Sequence, residues 1–136
     1  MRFAQCSALF PMMQFSAAPW RLLDQTYWEL CREAALLHVR MAGEIAQLAH
    51  RAAQTGEPIL RHLAYCFPDG GYEMIKDQFM LGEDLLVAPV LKKNAECREV
   101  VFPAGVWAGE DGRLIEGPSR RKVEVSLSTL PWYRRQ

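Results

Sequence analysis

The sequence predicts an α/β segment followed by an antiparallel β-module. A long amphipathic stretch, an apolar run directly after it, and a set of short alternating segments around an Asp-Gly turn are the grounds. Leu23, Tyr27, Leu30, Ala34, Leu37, Met41, Ile45, Leu48 and Ala52 recur at intervals of three or four, the period of one helix face. Pro58 to Tyr65 is short, mostly apolar and placed like the strand of an α/β unit. Beyond it, Val123-Glu124-Val125-Ser126-Leu127 alternates as a strand does, and Asp111-Gly112 offers the positive φ angles of a tight hairpin.

In chain order, Phe3 to Phe15 is apolar with helical character, and Ala8, Leu9, Met12 and Met13 are expected to share a buried face. Pro19 biases Ala18 away from the helical region, so a loop is expected at Ser16–Pro19, placing Gln14, Phe15, Ser16 and Trp20 at a turn. The long helix is expected from about Leu22 to Ala53, with Asp24 at its start and Gly56 ending it in a left-handed conformation. Leu22, Leu36, Val39 and Ala49 widen its apolar face, so it should pack against more than one neighbour. Phe67-Pro68-Asp69-Gly70-Gly71 closes the Pro58–Tyr65 strand. Asp84 to Leu91 reads as a continuous apolar strand, Cys97 to Phe102 and Val106-Trp107 as shorter ones either side of Pro103-Ala104-Gly105.

Composition narrows the function classes. Of 136 residues, 50% are apolar and 24% charged, the make-up of one globular domain or two small pieces of a larger one. Sixteen basic residues balance sixteen acidic ones and the longest basic run is Arg120-Arg121-Lys122, which leaves no electrostatic footprint for nucleic acid or an anionic membrane. A small, roughly neutral substrate fits better. No apolar stretch approaches the roughly 20 residues of a membrane span, and the first residues lack the apolar run of a secretory signal. Cys6, Cys31, Cys66 and Cys97 are widely spaced and read as free thiols, and His38, His50 and His62 show no metal-ligand spacing. No metal and no cofactor is expected.

Three stretches carry a resemblance. Ala8-Leu9-Phe10-Pro11-Met12-Met13-Gln14-Phe15-Ser16, then Pro58-Ile59-Leu60-Arg61 with Phe67-Pro68, then Asp77-Gln78-Phe79-Met80-Leu81-Gly82-Glu83-Asp84-Leu85-Leu86-Val87-Ala88-Pro89-Val90 with Val101-Phe102-Pro103-Ala104-Gly105-Val106-Trp107 resemble, in this order, the carboxy-terminal part of family 31 glycoside hydrolases. The resemblance fades after about Gly112. It implies that residues 1–68 are the C-terminal end of a catalytic (β/α)8 barrel, comprising the long helix and the last strand. Residues 69–136 would be the proximal β-module, an antiparallel β-sandwich-like unit. Most α-glucosidases of the family have an Arg two residues before a substrate-binding His where this chain has Gln14 and Ser16. Met13-Gln14-Phe15-Ser16 with Pro19-Trp20 looks instead like the myogenesis-regulating glycosidase type, which implies an α-galactoside-like preference beside the α-glucoside one.

Retaining glycosidases place two carboxyl groups about 5–5.5 Å apart. The family's pair, two Asp residues at earlier strand ends, is expected upstream of Met1, so no catalytic residue is assigned here. Asp24, Glu29, Glu33 and Glu44 read as a solvated helix face, and Asp77 and Asp84 as caps or turn acceptors of backbone hydrogens. Because barrel active sites lie at the carboxy-terminal strand ends, Gln14, Phe15, Ser16 and Trp20 are the candidate substrate-binding residues. Trp20 could lie on a sugar ring while Gln14 and Ser16 bond hydroxyls; the alternative is that Phe15 and Trp20 pack the barrel rim. Arg61 is expected to be a barrel-interior charge whose carboxylate partner lies in the missing half. The chain alone is expected to be inactive, with the missing barrel half supplied in cis or replaced by self-association. The competing reading is a noncatalytic carbohydrate-binding or interaction module.

Overall fold

The computed structural model describes all 136 residues, Met1–Gln136, which form two compact units, Met1–Ile59 and Leu60–Gln136. The first is helical. Helix α1 (Arg2–Ser7) is short, α2 (Pro19–Leu22) is a single turn, and α3 (Gln25–Thr55) runs for 31 residues. Both ends of α3 follow from single residues. The Asp24 carboxylate accepts the Tyr27 N–H at 3.1 Å, satisfying one of the orphan donors of the first turn, and Gly56 stops the helix at φ 77°.

α1 is shorter than the apolar run it comes from. Pro11 cannot continue a helix, the chain leaves α1 at Ala8, and the expected four-residue face splits: Ala8 and Leu9 are fully buried whereas Met12 is exposed. α1 packs on α3; Ala4, with Ala8 and Leu9 just beyond α1, is buried in this unit, as are Cys31, Ala34 and Leu37 of α3. His38 Nδ1 lies 3.0 Å from the Ala8 carbonyl and ties the exit of α1 to the same helix. The residues expected to widen the apolar face find no cover: Leu22 falls in α2 and is exposed, and Leu36 and Val39 on α3 are exposed too.

The second unit is one six-stranded antiparallel sheet in the order β1-β2-β3-β6-β4-β5, with strands β1 (Leu60–Arg61), β2 (Phe79–Leu81), β3 (Leu85–Val87), β4 (Cys97–Gly109), β5 (Leu114–Glu124) and β6 (Trp132–Arg135). The module expected to be sandwich-like is thus a single sheet. β6, which the sequence pattern does not announce, stitches it together: Leu86 pairs with Tyr133 on one side, and Ala108 with Arg134 on the other. The turn at Glu110-Asp111-Gly112 is the expected hairpin, with Ala108 opposite Leu114 and Gly112 at φ 77°.

Several boundaries differ from the sequence reading. The Pro58–Tyr65 strand reduces to Leu60–Arg61, because His62 Nδ1 accepts the Ala64 N–H at 3.2 Å and starts helix α4 (Leu63–Cys66). This strand pairs antiparallel with β2, Leu60 opposite Leu81. Asp84–Leu91 is extended only over Leu85–Val87, after a turn at Gly82-Glu83-Asp84 that returns from β2. Conversely, Cys97–Phe102 and Val106-Trp107 are one strand: the register slips between Phe102 and Gly105, so the Pro103 segment is a bulge and not an end. Opposite it, a Cβ at Gly117 would lie 1.9 Å from the Pro103 carbonyl oxygen, so only glycine lets the two strands approach there. β5 begins well before Val123, while Val125–Leu127 lies beyond it.

The core of this unit gathers Leu63, Tyr72, Met80, Leu86, Val100, Phe102, Trp107 and Tyr133. Trp107 is fully buried, and its indole N–H donates to the Pro103 carbonyl at 2.8 Å. Burial of an indole contributes on the order of 4 kcal/mol, and the hydrogen bond keeps its one polar atom from costing part of that back. Gln78 does for the backbone what a missing strand would do. Its buried amide donates to the Val101 carbonyl at 2.9 Å and accepts the Val101 N–H at 2.8 Å. Beside it, Arg98 holds the Asp77 carboxylate at 3.2 Å and bonds the Asp77 and Pro89 carbonyls. Burial lowers the Arg98 guanidinium below its ordinary value, with Asp77 opposing the shift. Together Gln78 and Arg98 fasten the entry of the module to β4.

Candidate functional site

In the helical unit, the four candidate residues separate by chemistry. Ala18 is extended (φ −63°, ψ 116°), as a residue before proline prefers, and Pro19 opens α2 from the position where its missing N–H costs nothing. This turn presents Phe15 and Trp20 to the amino-terminal half of α3. There Trp28, Cys31, Arg32 and Ala35, spaced i, i+3, i+4 and i+7, form one face. Phe15, Pro19 and Trp20 close over that face to leave a pocket of about 240 Å³. Its walls are nearly all apolar. Trp20 is 68% exposed and Phe15 38%, so both rings remain accessible.

Gln14 and Ser16 do not line this pocket; both are exposed and flank Phe15 in the chain. Arg32 is the one charged residue at its wall, and its guanidinium lies 3.5 Å from the Glu33 carboxylate. Cys31 is buried at the floor, its thiol 3.9 Å from the Met1 sulfur. Burial raises the thiol of Cys6, elsewhere in this unit, above its ordinary value. Trp28 was missed by the sequence reading because it lies outside the apolar stripe of α3.

Several acidic side chains are engaged at the surface. Asp24 caps α3, Glu29 accepts from Gln25 at 2.9 Å, and Glu99 and Asp111 pair with Arg120 and Arg113 at 3.0 and 3.3 Å. The buried polar residues are Gln5, Ser7, Arg61 and Gln78, with no acid among them. Asp77 and Asp84 do not use their carboxylates as backbone caps: Asp77 faces Arg98, and Asp84 offers its main-chain carbonyl to the Arg135 N–H at 2.8 Å. Arg61 is buried as expected, but its carboxylate partner is in this chain. Glu83 lies 3.3 Å away, and the Tyr65 ring stacks at 5.7 Å.

No group of three His, Cys, Asp or Glu residues comes together as a metal-holding set. A larger concavity of about 780 Å³ runs along the β4–β5 hairpin, lined in part by Asp111, Glu116, Lys122 and Trp132, and holds none of the four candidates.

Comparison with known proteins places this architecture. The pattern of the glycosyl hydrolase family 31 C-terminal domain matches residues 56–136. The chain belongs to glycosyl hydrolase family 31. It is 36% identical over 131 residues to the myogenesis-regulating glycosidase of Mus musculus, covering 96% of this chain and 18% of that protein. With an α-glucosidase of Saccharolobus solfataricus it shares 35% identity over 116 residues, or 84% of this chain and 16% of that one. Among solved structures, the cycloalternan-degrading enzyme from Trueperella pyogenes superimposes with a TM-score of 0.88 at 24% identity, over 99% of this chain and 21% of that chain. A family 31 α-xylosidase from a soil metagenome, complexed with xylose, gives 0.85 at 23%, over 99% and 24%. The last two show the shared fold. The chain spans less than a quarter of the length of each of these relatives.

Proposed function

We propose that this chain is the carboxy-terminal part of an α-glycosidase that hydrolyses O-glycosyl bonds of α-galactoside-like or α-glucoside substrates by a retaining mechanism, and that it carries neither catalytic carboxylate. Residues 1–68 would close the catalytic barrel and residues 69–136 would form the β-module behind it. The family match over 56–136 carries the reading, together with relatives named as glycosidases and α-glucosidases. The disposition of the acids supports its second half. A general acid needs a protected carboxyl group, and every acidic side chain here is at least partly exposed. What the chain offers a sugar is one wall: Gln14 and Ser16 as hydrogen-bonding groups, Phe15 and Trp20 as aromatic surface.

The purified 136-residue chain should therefore release no nitrophenol from 4-nitrophenyl α-galactoside or α-glucoside, yet galactose or glucose at millimolar concentration should shift the backbone amide resonances of residues 14–20. Turnover by the pure chain that falls when Gln14 and Trp20 are replaced would overturn the noncatalytic assignment. Amide resonances that stay still with both sugars would overturn the sugar wall.

A further inference from the structure

β5 is the last strand of the sheet, paired with β4 on one side and with no strand on the other. Both its ends fix which peptide groups face outward. The Arg113 carbonyl accepts the Gly109 N–H and the Val125 N–H donates to the Glu96 carbonyl, each at 2.9 Å, so odd-numbered residues turn to β4. Leu114, Glu116, Arg120, Lys122 and Glu124 therefore direct their peptide groups away from the sheet. We infer that this edge pairs with the same edge of a second copy of the chain, the two β5 strands running antiparallel about a two-fold axis at Ser119. The inference concerns the unit Leu60–Gln136 alone and does not depend on the sugar assignment.

Charge complementarity selects the partner and the register. With the axis at Ser119, Glu116 faces Lys122 of the second copy and Lys122 faces its Glu116, while Ile115 faces Val123 on the other side of the sheet. Outward peptide groups then meet outward peptide groups. The Glu116 and Lys122 side chains are exposed and enter no ion pair within the chain, whereas Arg120 is already held by Glu99 at 3.0 Å. Ile115 and Val123 are half-buried against the core of the unit, so their pairing extends an existing apolar face. Neighbouring axes fail. At Pro118 two prolines meet, at Arg120 that residue faces itself and Glu116 faces Glu124, and at Arg121 the Arg120 cation faces Lys122.

Two features of the edge limit it to this partner. Pro118 has no N–H to offer, and Arg120-Arg121-Lys122 repels any strand without acids opposite, both of which discourage unrelated strands. The Ser119 hydroxyl takes one lone pair of the Glu116 carbonyl at 2.7 Å and leaves the second for the Lys122 N–H of the other copy.

The test follows amide hydrogen exchange of the 136-residue chain at low and high protein concentration. The amides of Glu116 and Lys122 should gain protection as concentration rises, a change that association through the helical unit would not produce. Glu116→Lys and Lys122→Glu each set like charges opposite one another at two places and should each weaken the pairing about tenfold. Combined in one chain they restore opposite charges and should recover it, which a fold defect in either variant would not allow. Protection that ignores concentration, single variants that pair as tightly as the parent, or a double variant no tighter than the singles overturns the inference.

Discussion

Replacing Gln78 by Leu should destabilise the unit Leu60–Gln136 by about 2–4 kcal/mol. The figure comes from the two bonds that one amide makes to Val101, at 2.8 and 2.9 Å, in a place where Val101 is 5% exposed. Leucine removes both partners and leaves a buried N–H and a buried C=O, each costing about 1–3 kcal/mol when unpaired. Its gain in apolar burial returns on the order of 1 kcal/mol. Equilibrium urea unfolding followed by tryptophan emission reads the change, because Trp107 belongs to the core that β4 carries. The midpoint should fall with the slope unchanged. A loss below about 0.5 kcal/mol would refute the reasoning, since it would mean that water or a relaxed backbone satisfies Val101 once the amide is gone.

Gly117→Ala should cost more than about 2 kcal/mol, because the new methyl meets the Pro103 carbonyl of the facing strand at 1.9 Å; the same urea assay checks it, and a neutral result would mean that the bulge can move aside. Tyr133 gives a pH dependence. Burial first, and Asp111 second, raise its hydroxyl above the ordinary value, so the unfolded chain loses that proton before the folded one. Stability is then complete below about pH 10 and declines as pH rises above it, and Tyr133→Phe should flatten that limb of the profile. Sedimentation of the isolated chain should show a mass that rises with concentration, given exposed Phe3, Met12, Trp20, Leu22 and Val39; a single monomer mass at all concentrations would refute it.

The long helix was legible because its signals agree: one period across 31 residues, a carboxylate at Asp24 and a glycine at Gly56. The hairpin at Asp111-Gly112 was legible for the same reason, since turn chemistry is local. Where tertiary contacts decide, the local pattern failed. Pro103 and Gly105 look like an end to a strand, yet β4 continues because a bulge absorbs them against Gly117. β6 is only four residues, and its place depends on being hydrogen-bonded on both sides, by β3 and by β4, which no window of sequence reports. The strand expected over Pro58–Tyr65 shortens to Leu60–Arg61 because His62 competes for the backbone as a helix cap.

The candidate site shows a different limit. Phe15 and Trp20 could be named from the turn that Pro19 imposes, but what they face could not, because the opposite wall lies on α3 and includes Trp28, an aromatic off the apolar stripe. An off-stripe tryptophan in the first turns of a helix, just after a Pro-Trp turn, is the signal that could have found it. Arg61 teaches the complementary point. Its burial follows from its place in an apolar strand, whereas its partner was expected in the missing barrel half because the resemblance implied a barrel interior around it. The turn between β2 and β3 brings Glu83 back beside β1, so the charge is met within the unit. A buried arginine therefore needs no missing domain to explain it here. The proposal of a longer enzyme rests instead on the family match and on acids that are all at least partly exposed.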